Sequence, residues 1–151
     1  MFSFAKNNDM GFSFSKLFNK SESDNTSNDS IDSIMEAVEQ APFAISDHNV
    51  LYAGFNELGG YFFLQTVIIG AFKVKSKNGG KLSLVGNDFE MHVDSDALEF
   101  QSNPSDVKGR FVTNIDFQIE ESDIEKVRKA KLTEIILKVK NQEVLFKKYN
   151  Q

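Results

Sequence analysis

The chain has 151 residues, a formal net charge of −5, 26% charged residues and no cysteine. This length suits one domain with or without a tail, and the lack of cysteine excludes disulfides, thiolate zinc sites and thiol nucleophiles. The acidic balance and the presence of only two arginines, Arg110 and Arg128, argue against nucleic-acid binding, which favours a basic excess and uses arginine to contact phosphates and bases.

A short motif occurs twice near the start of the chain, as FSFAK at residues 2–6 and FSFSK at residues 12–16. Five of the fifteen phenylalanines fall within the first twenty residues. The polar stretch at residues 6–9 interrupts any continuous apolar run, so the segment lacks the pattern of a signal peptide and we expect a cytoplasmic protein. The longest apolar run, residues 61–72, is too short to span a membrane.

The next stretch, residues 19–30, contains no apolar side chain and is rich in Ser, Asn and Asp. Such a composition is typical of a disordered linker. The sequence therefore predicts a Phe-rich tail and polar linker over residues 1–30, followed by a β-rich globular domain over residues 31–151.

The domain is predicted to begin with a short helix capped by Ser30. Its apolar residues have helical spacing and the helix should end before Pro42; they are Ile31, Ile34, Met35 and Val38. Residues Leu51, Phe55 and Leu58 have the spacing of a second helical face, although Gly54 weakens this interpretation.

Beyond Gly59 the pattern favours strands. The run from Tyr61 to Phe72 is apolar on both faces up to Ala71, as expected of a covered strand. A meander should follow, with a hairpin loop at residues 78–80 and a turn at residues 86–87. Its predicted register pairs Val74 with Leu84, and Leu84 with Phe89.

The C-terminal third is predicted to contain a strand, a short helix and a hairpin. Residues 111–119 alternate between apolar and polar, Ser122 and Glu125 form a capping-box pattern, and the last hairpin turns at residues 141–142. The predicted fold is mainly β: an antiparallel meander, in a sandwich or partly open barrel, with an N-terminal helix and a short helix before the C-terminal hairpin.

One strand carries a row of ionisable side chains of the same parity, namely Asp88, Glu90, His92, Asp94 and Asp96. Side chains at i and i+2 share a face, so Glu90, His92 and Asp94 form a candidate metal site or acid–base pair. The predicted register places them on the outward polar face, which favours an ordinary solvated surface instead. No cofactor is predicted.

The repeated motif leaves three interpretations open. The phenylalanines pack on the chain's own domain, dock in the groove of a partner protein, or lie on an anionic membrane. Docking is the leading hypothesis because Phe14, Leu17 and Phe18 have the spacing of a helix-in-groove peptide. The candidate partner-binding residues are Phe2, Phe4, Phe12, Phe14, Leu17 and Phe18.

The sequence thus favours a non-enzymatic protein-interaction module whose tail binds a protein partner. Two alternatives remain, a metal-dependent enzyme or metal-binding protein using residues 88–96, and a carrier of a small apolar ligand lined by the Tyr61–Phe72 strand. A membrane or nucleic-acid partner is not favoured, and the sequence does not fix the oligomeric state.

Overall fold

A computed structural model describes residues 31–150. The tail and linker predicted for residues 1–30 lie outside this range, as does the proposed helix cap at Ser30. The helices are α1 (Asp32–Ala37) and α2 (Glu121–Lys129). The strands are β1 (Ala44–Ile45), β2 (Asn49–Leu58), β3 (Tyr61–Gly70), β4 (Lys75–Ser76), β5 (Lys81–Gly86), β6 (Phe89–Asp94), β7 (Phe100–Gln101), β8 (Asn103–Pro104), β9 (Phe111–Ile119), β10 (Leu132–Val139) and β11 (Gln142–Lys148).

Nine of these strands form one antiparallel sheet in the order β6-β5-β10-β11-β1-β2-β3-β9-β8, and β4 pairs with β7 in a separate two-stranded ribbon. The sheet curls into a half-barrel, and an isolated bridge between Ser95, just after β6, and Phe117 of β9 brings its two sides together. The prediction of a mainly β, antiparallel fold with a short helix before the last hairpin is confirmed.

Side chains of alternate parity divide the sheet into an inner and an outer face. The inner face holds the main core, in which Leu84, Phe117, Ile135 and Phe146 are fully buried. Strand β9 follows the predicted alternation, because Ile115, Phe117 and Ile119 are buried while Asn114 and Gln118 are exposed. The alternation in the sequence therefore predicts which β9 side chains face the core and which face solvent.

Different elements cover the two ends of the inner face. Helix α2 follows the end of β9 and contributes Ile124 and Val127 to the main core. At the opposite end, the segment after β3 contributes Phe72 and Val74 to the main core, and Phe100 of β7 packs against the same core. The half-barrel is thus filled with side chains along its length.

Helix α1 lies on the outer face of β2 and β3. Its Ile34 is fully buried in a second apolar cluster with Tyr52 of β2 and Val67 and Ile69 of β3. Strand β3 is therefore covered on both sides over its second half, as the apolar run predicted. The helix itself is shorter than predicted, since it ends at Ala37 and Ile31 occupies its cap position.

The prediction of a helical face at Leu51, Phe55 and Leu58 is wrong. These residues belong to β2, which pairs with β3 over its whole length, from Asn49–Gly70 to Leu58–Tyr61. The apolar residues at 51, 55 and 58 fit a helical spacing by coincidence. Pairing with the strongly apolar β3 determines the conformation.

The meander is only partly as predicted. Residues 78–80 do not form a hairpin loop, because β4 pairs with β7 and β5 pairs instead with β6 and β10. The β5–β6 and β10–β11 hairpins do form, but Leu84 pairs with Met91 instead of the predicted Phe89, and Leu137 pairs with Val144, whereas the predicted turn at residues 141–142 would pair it with Phe146. A shift of two preserves the faces, which is why the predicted parity still holds.

The start of α2 also differs from the prediction. Glu120 occupies the N-cap, and it forms the capping box with Asp123 rather than Ser122 forming one with Glu125. The side chain of Glu125 instead contacts Arg128, with 3.2 Å between Oε2 and Nη1.

Candidate functional site

The ionisable row of β6 lies on the outer face, as its parity predicted. Glu90, His92 and Asp94 are exposed, whereas Val93 is buried and Met91 partly buried against the main core. Across the sheet, His92 is directly opposite Ser83 and Asp94 is opposite Lys81. Glu90 and His92 therefore face solvent.

Two side chains of this row, Glu90 and His92, form a continuous hydrogen-bonded chain with Ser83 of β5. The Ser83 hydroxyl lies 2.7 Å from Nδ1 of His92, and Nε2 of His92 lies 2.8 Å from Oε2 of Glu90. The imidazole is thus fixed from both sides by its neighbours. The side chains of His92 and Glu90 remain 48% and 64% exposed, so water has access to all of these contacts.

The arrangement places two of the three predicted metal-site residues in contact and separates the third. Asp94 forms an ion pair with Lys81, at 3.2 Å, instead of turning toward His92. Among residues 31–150, no three His, Cys, Asp or Glu side chains are grouped so that they could hold a metal ion. A metal at His92 would have to displace the contacts that now occupy its ring nitrogens.

A shallow pocket of about 370 Å³ lies beside this row, with Gly79, Gly80, Lys81 and Lys138 in its wall. Its backbone donors already have partners, since the Gly79 amide donates to the Leu98 carbonyl at 2.8 Å and the Gly80 amide to the Ser95 hydroxyl at 2.9 Å. These contacts hold the loop together and leave the two glycine amides unavailable for a ligand.

The other end of the molecule offers a different kind of surface, at the tip of the β2–β3 hairpin. Leu58 and Tyr61 face each other across the Gly59–Gly60 turn, and their exposed fractions are 54% and 61%. Phe63, two residues farther along β3 and on the same outer face, is partly exposed. We call Leu58, Tyr61 and Phe63 the tip patch.

The tip patch adjoins an acidic area on the outer face. Asp116 of β9 lies opposite Gln65, and Gln65 follows Phe63 by two residues on the same face of β3. Burial raises the pKa of Asp116; its hydrogen bond with Gln65 lowers that pKa and the nearby charge of Asp96 raises it. The outer face therefore combines apolar side chains with two neighbouring carboxylates.

The sequence does not point to the tip patch, because the spacing of Leu51, Phe55 and Leu58 also fits a helical face. A signal was present in the Gly59–Gly60 pair, whose positive φ angles of 59° and 87° suit a tight turn. A turn there places Leu58 and Tyr61 at an exposed tip.

The remaining predicted residues fall into two groups. The docking candidates Phe2, Phe4, Phe12, Phe14, Leu17 and Phe18 lie outside the described residues. For the carrier alternative, the inward side chains of the Tyr61–Phe72 run, Leu64 and Ile68, are buried in the main core. That alternative stays a prediction.

No helix within residues 31–150 is both long and apolar enough to cross a bilayer. Comparison of the chain with protein-family models, curated proteins and solved structures gives no match.

Proposed function

We propose that the protein is a non-enzymatic interaction module that binds a partner protein through two apolar elements, its Phe-rich tail and the tip patch. The observation that carries this proposal is the exposure of Leu58 and Tyr61 side by side at the end of the longest hairpin. Large apolar side chains grouped on a surface are typical of binding sites, and aromatic residues contribute strongly to such interfaces.

The tail supports the same proposal from the sequence. Phe14, Leu17 and Phe18 would present three anchors on one helical face, with Lys16 and Lys20 at its border. Burying an apolar side chain of this size contributes about 1.5–3 kcal/mol before the cost of ordering the peptide. Two copies of the FSFxK motif would allow bivalent contact.

Affinity capture from native lysate tests the proposal with four baits: the full chain, a chain beginning at Ser30, the double variant L58S/Y61S and the variant L145S. Leu145 is 49% exposed on the outer face of β11, away from the tip patch, so L145S is a matched control. Thermal melts of all four baits establish that each body remains folded.

We expect the same proteins to be lost from the truncated bait and from L58S/Y61S and to be retained by L145S. Identical capture by all four baits contradicts the proposal. Loss by the truncated bait alone would assign binding to the tail without the tip patch.

Metal binding at β6 is a second candidate function, supported by the contact between His92 and Glu90. Titration with Zn²⁺ tests it, with the His92 ring signals and the melting temperature as readouts. If the site exists, both shift, and the shifts disappear in H92A and in E90Q. If neither readout responds in the unsubstituted protein, this candidate is rejected.

A further inference from the structure

The tip patch is apolar and open to solvent, and the chain itself contains a segment suited to cover it. We infer that, in the free protein, the segment FSFSKLF (residues 12–18), which contains the second copy of the FSFxK motif, docks on the tip patch of the same molecule and is released when a partner binds. This regulation rests on the proposed function, because it covers the two elements that would otherwise engage the partner.

The first argument is the path of the chain. The described part begins at Ile31, which packs against the α1 cluster together with Tyr52 on the outer face of the sheet. Leu58 lies six residues farther along the same strand, a distance of about 20 Å. Residues 19–30 can span about 40 Å when extended, so residues 12–18 can reach the tip patch.

The second argument is that α1 and the tip patch lie on the same face of the sheet. Helix α1, Phe63 and Tyr61 share the outer face, because residues 61, 63, 67 and 69 of β3 have the same parity and Val67 and Ile69 contact α1. The part of the chain that precedes α1 can therefore follow the surface of the sheet toward the tip.

The third argument is charge. Residues 1–20 contain three lysines and one aspartate, for a formal charge of +2. The area beside the tip patch carries Asp116 and Asp96, whose charges are close enough that Asp96 raises the pKa of Asp116. Lys16, within the docking segment, would place its positive charge near this pair and would reduce their mutual repulsion.

A short tether strengthens such a contact. When two binding elements are joined by a short linker, the effective concentration of one at the other is in the millimolar range. A peptide–patch contact whose dissociation constant lies below this concentration is then formed in most molecules. A partner must therefore supply enough binding energy to separate the two elements.

A spin label on the full chain tests this inference directly. The chain has no cysteine, so S21C provides a single attachment site for a nitroxide, outside the docking segment. Amide signals of the ¹⁵N-labelled protein are recorded with the label paramagnetic and then reduced. We expect intensity loss at residues 57–63 that is reversed by reduction.

Variants and a mixed sample make the result specific. The intensity loss should disappear in S21C/L58S/Y61S and in S21C/F14S/F18S, and it should persist in S21C/L145S. Loss of intensity elsewhere on the sheet, or no loss at all, overturns the inference. A mixed sample contains ¹⁵N-labelled chain without a nitroxide and nitroxide-bearing chain without ¹⁵N. Intensity loss in this mixture also overturns the inference, since it identifies docking on a second copy.

The two proposals fail in different ways. Partner capture that depends on the tail, without the spin-label effect, leaves the proposed function in place and removes the self-docking. The reverse outcome is a spin-label effect at the tip together with the same captured proteins for the full and the truncated chain. That outcome retains the self-docking and removes the proposed function.

Discussion

Gly70 occupies a position where the backbone of two strands converges. The His48 carbonyl accepts a hydrogen bond from Ala71 at 3.1 Å, and the Asn49 side chain accepts one from the Phe72 amide at 2.8 Å. A Cβ atom at Gly70 would overlap the His48 carbonyl oxygen and lie 2.7 Å from the Asn49 Cα. The junction between β2 and the segment after β3 therefore depends on the missing side chain.

We predict that G70A lowers the free energy of unfolding by about 2 kcal/mol or more, because rigid backbone must move to admit the methyl group. Urea denaturation measures the change. G109A is the matched control: Gly109 has φ 78° but open space around it, so its cost should stay near about 1 kcal/mol. Equal losses in both variants would contradict the role of close contact at Gly70.

Asp116 supplies the second prediction at this scale. Burial is the main cause that raises its pKa, so its ionised form destabilises the folded state. Between the ordinary aspartate pKa and the raised folded value, the folded state binds more protons, and stability falls as the pH rises. At lower pH, where both states are protonated, the penalty vanishes.

We therefore expect D116N to be more stable than the unsubstituted protein at about pH 7 and to lose this advantage at about pH 3. Urea midpoints at the two pH values give the measurement. D96N should produce a smaller gain at neutral pH, since the charge of Asp96 is the lesser cause of the shift. An advantage for D116N that is the same at both pH values would exclude ionisation as its origin.

Among the elements, the β5–β6 and β10–β11 hairpins share one feature of their turns. Asp88 in the β5–β6 turn and Lys140 in the β10–β11 turn both have φ 55°, a left-handed conformation that costs energy in residues other than glycine. Lys140 also donates from Nζ to the Lys75 carbonyl at 2.9 Å, so its side chain has a separate stabilising contact.

We predict that D88G raises the free energy of unfolding by about 0.5 kcal/mol, since relief of the left-handed strain exceeds the extra entropy of glycine. Thermal denaturation with a van't Hoff analysis measures the gain. K140G serves for comparison and should gain less, because it loses the contact to Lys75. Destabilisation by D88G would show that the aspartate side chain, rather than the backbone angle, determines the turn.

The sequence predicted some parts of the fold better than others. Alternation over residues 111–119 identified β9 and its faces, because one side of that strand is buried and the other solvated. Turn positions were less accurate: each turn lies one residue from its predicted position, and Lys140 is not a residue usually expected at positive φ. The prediction of a hairpin loop at residues 78–80 failed for another reason. Strand β5 pairs with β6 and with β10, which lies about fifty residues away along the chain, and a local sequence pattern carries no information about such distant pairing.

For the candidate sites, the sequence predicted which residues share a face of the strand better than it predicted which side chains contact each other. It placed Glu90, His92 and Asp94 on one outward face, yet the ion pair between Asp94 and Lys81 depends on cross-strand register, which was shifted by two residues. The tip patch was missed because its residues have no chemical signature. They become a surface feature only once β2 and β3 are paired.

Across the whole molecule, α2 closes one end of the inner face. Ile124 and Val127 enter the same core as side chains from the long strands, and Arg128 lies 5.5 Å from the centre of the Phe55 ring. The helix thus covers core residues of the half-barrel that water would otherwise reach at that end.

We predict that I124A lowers the free energy of unfolding by about 2–4 kcal/mol, through lost burial and the cavity it leaves. Chemical denaturation provides the value. E125A, on the exposed side of the same helix, should change stability by no more than about 0.5 kcal/mol. If I124A has as little effect as E125A, then α2 does not contribute to the main core as described.

The two-residue strand β1 has a consequence for the order of events during synthesis. It pairs with β11 on one side, through Ala44 and Lys148, and with β2 on the other, through Ala44 and Leu51. Among the described strands, β1 alone pairs with both the group β6-β5-β10-β11 and the group β2-β3-β9-β8, and the isolated Ser95–Phe117 bridge is a second connection between them. A nascent chain emerging from the ribosome can pair strands within each group, but the pairing of β1 with β11 requires that residue 148 has been released. Pairing over such a long sequence separation is slow, so we expect this junction of the sheet to be among the last parts of the fold to form.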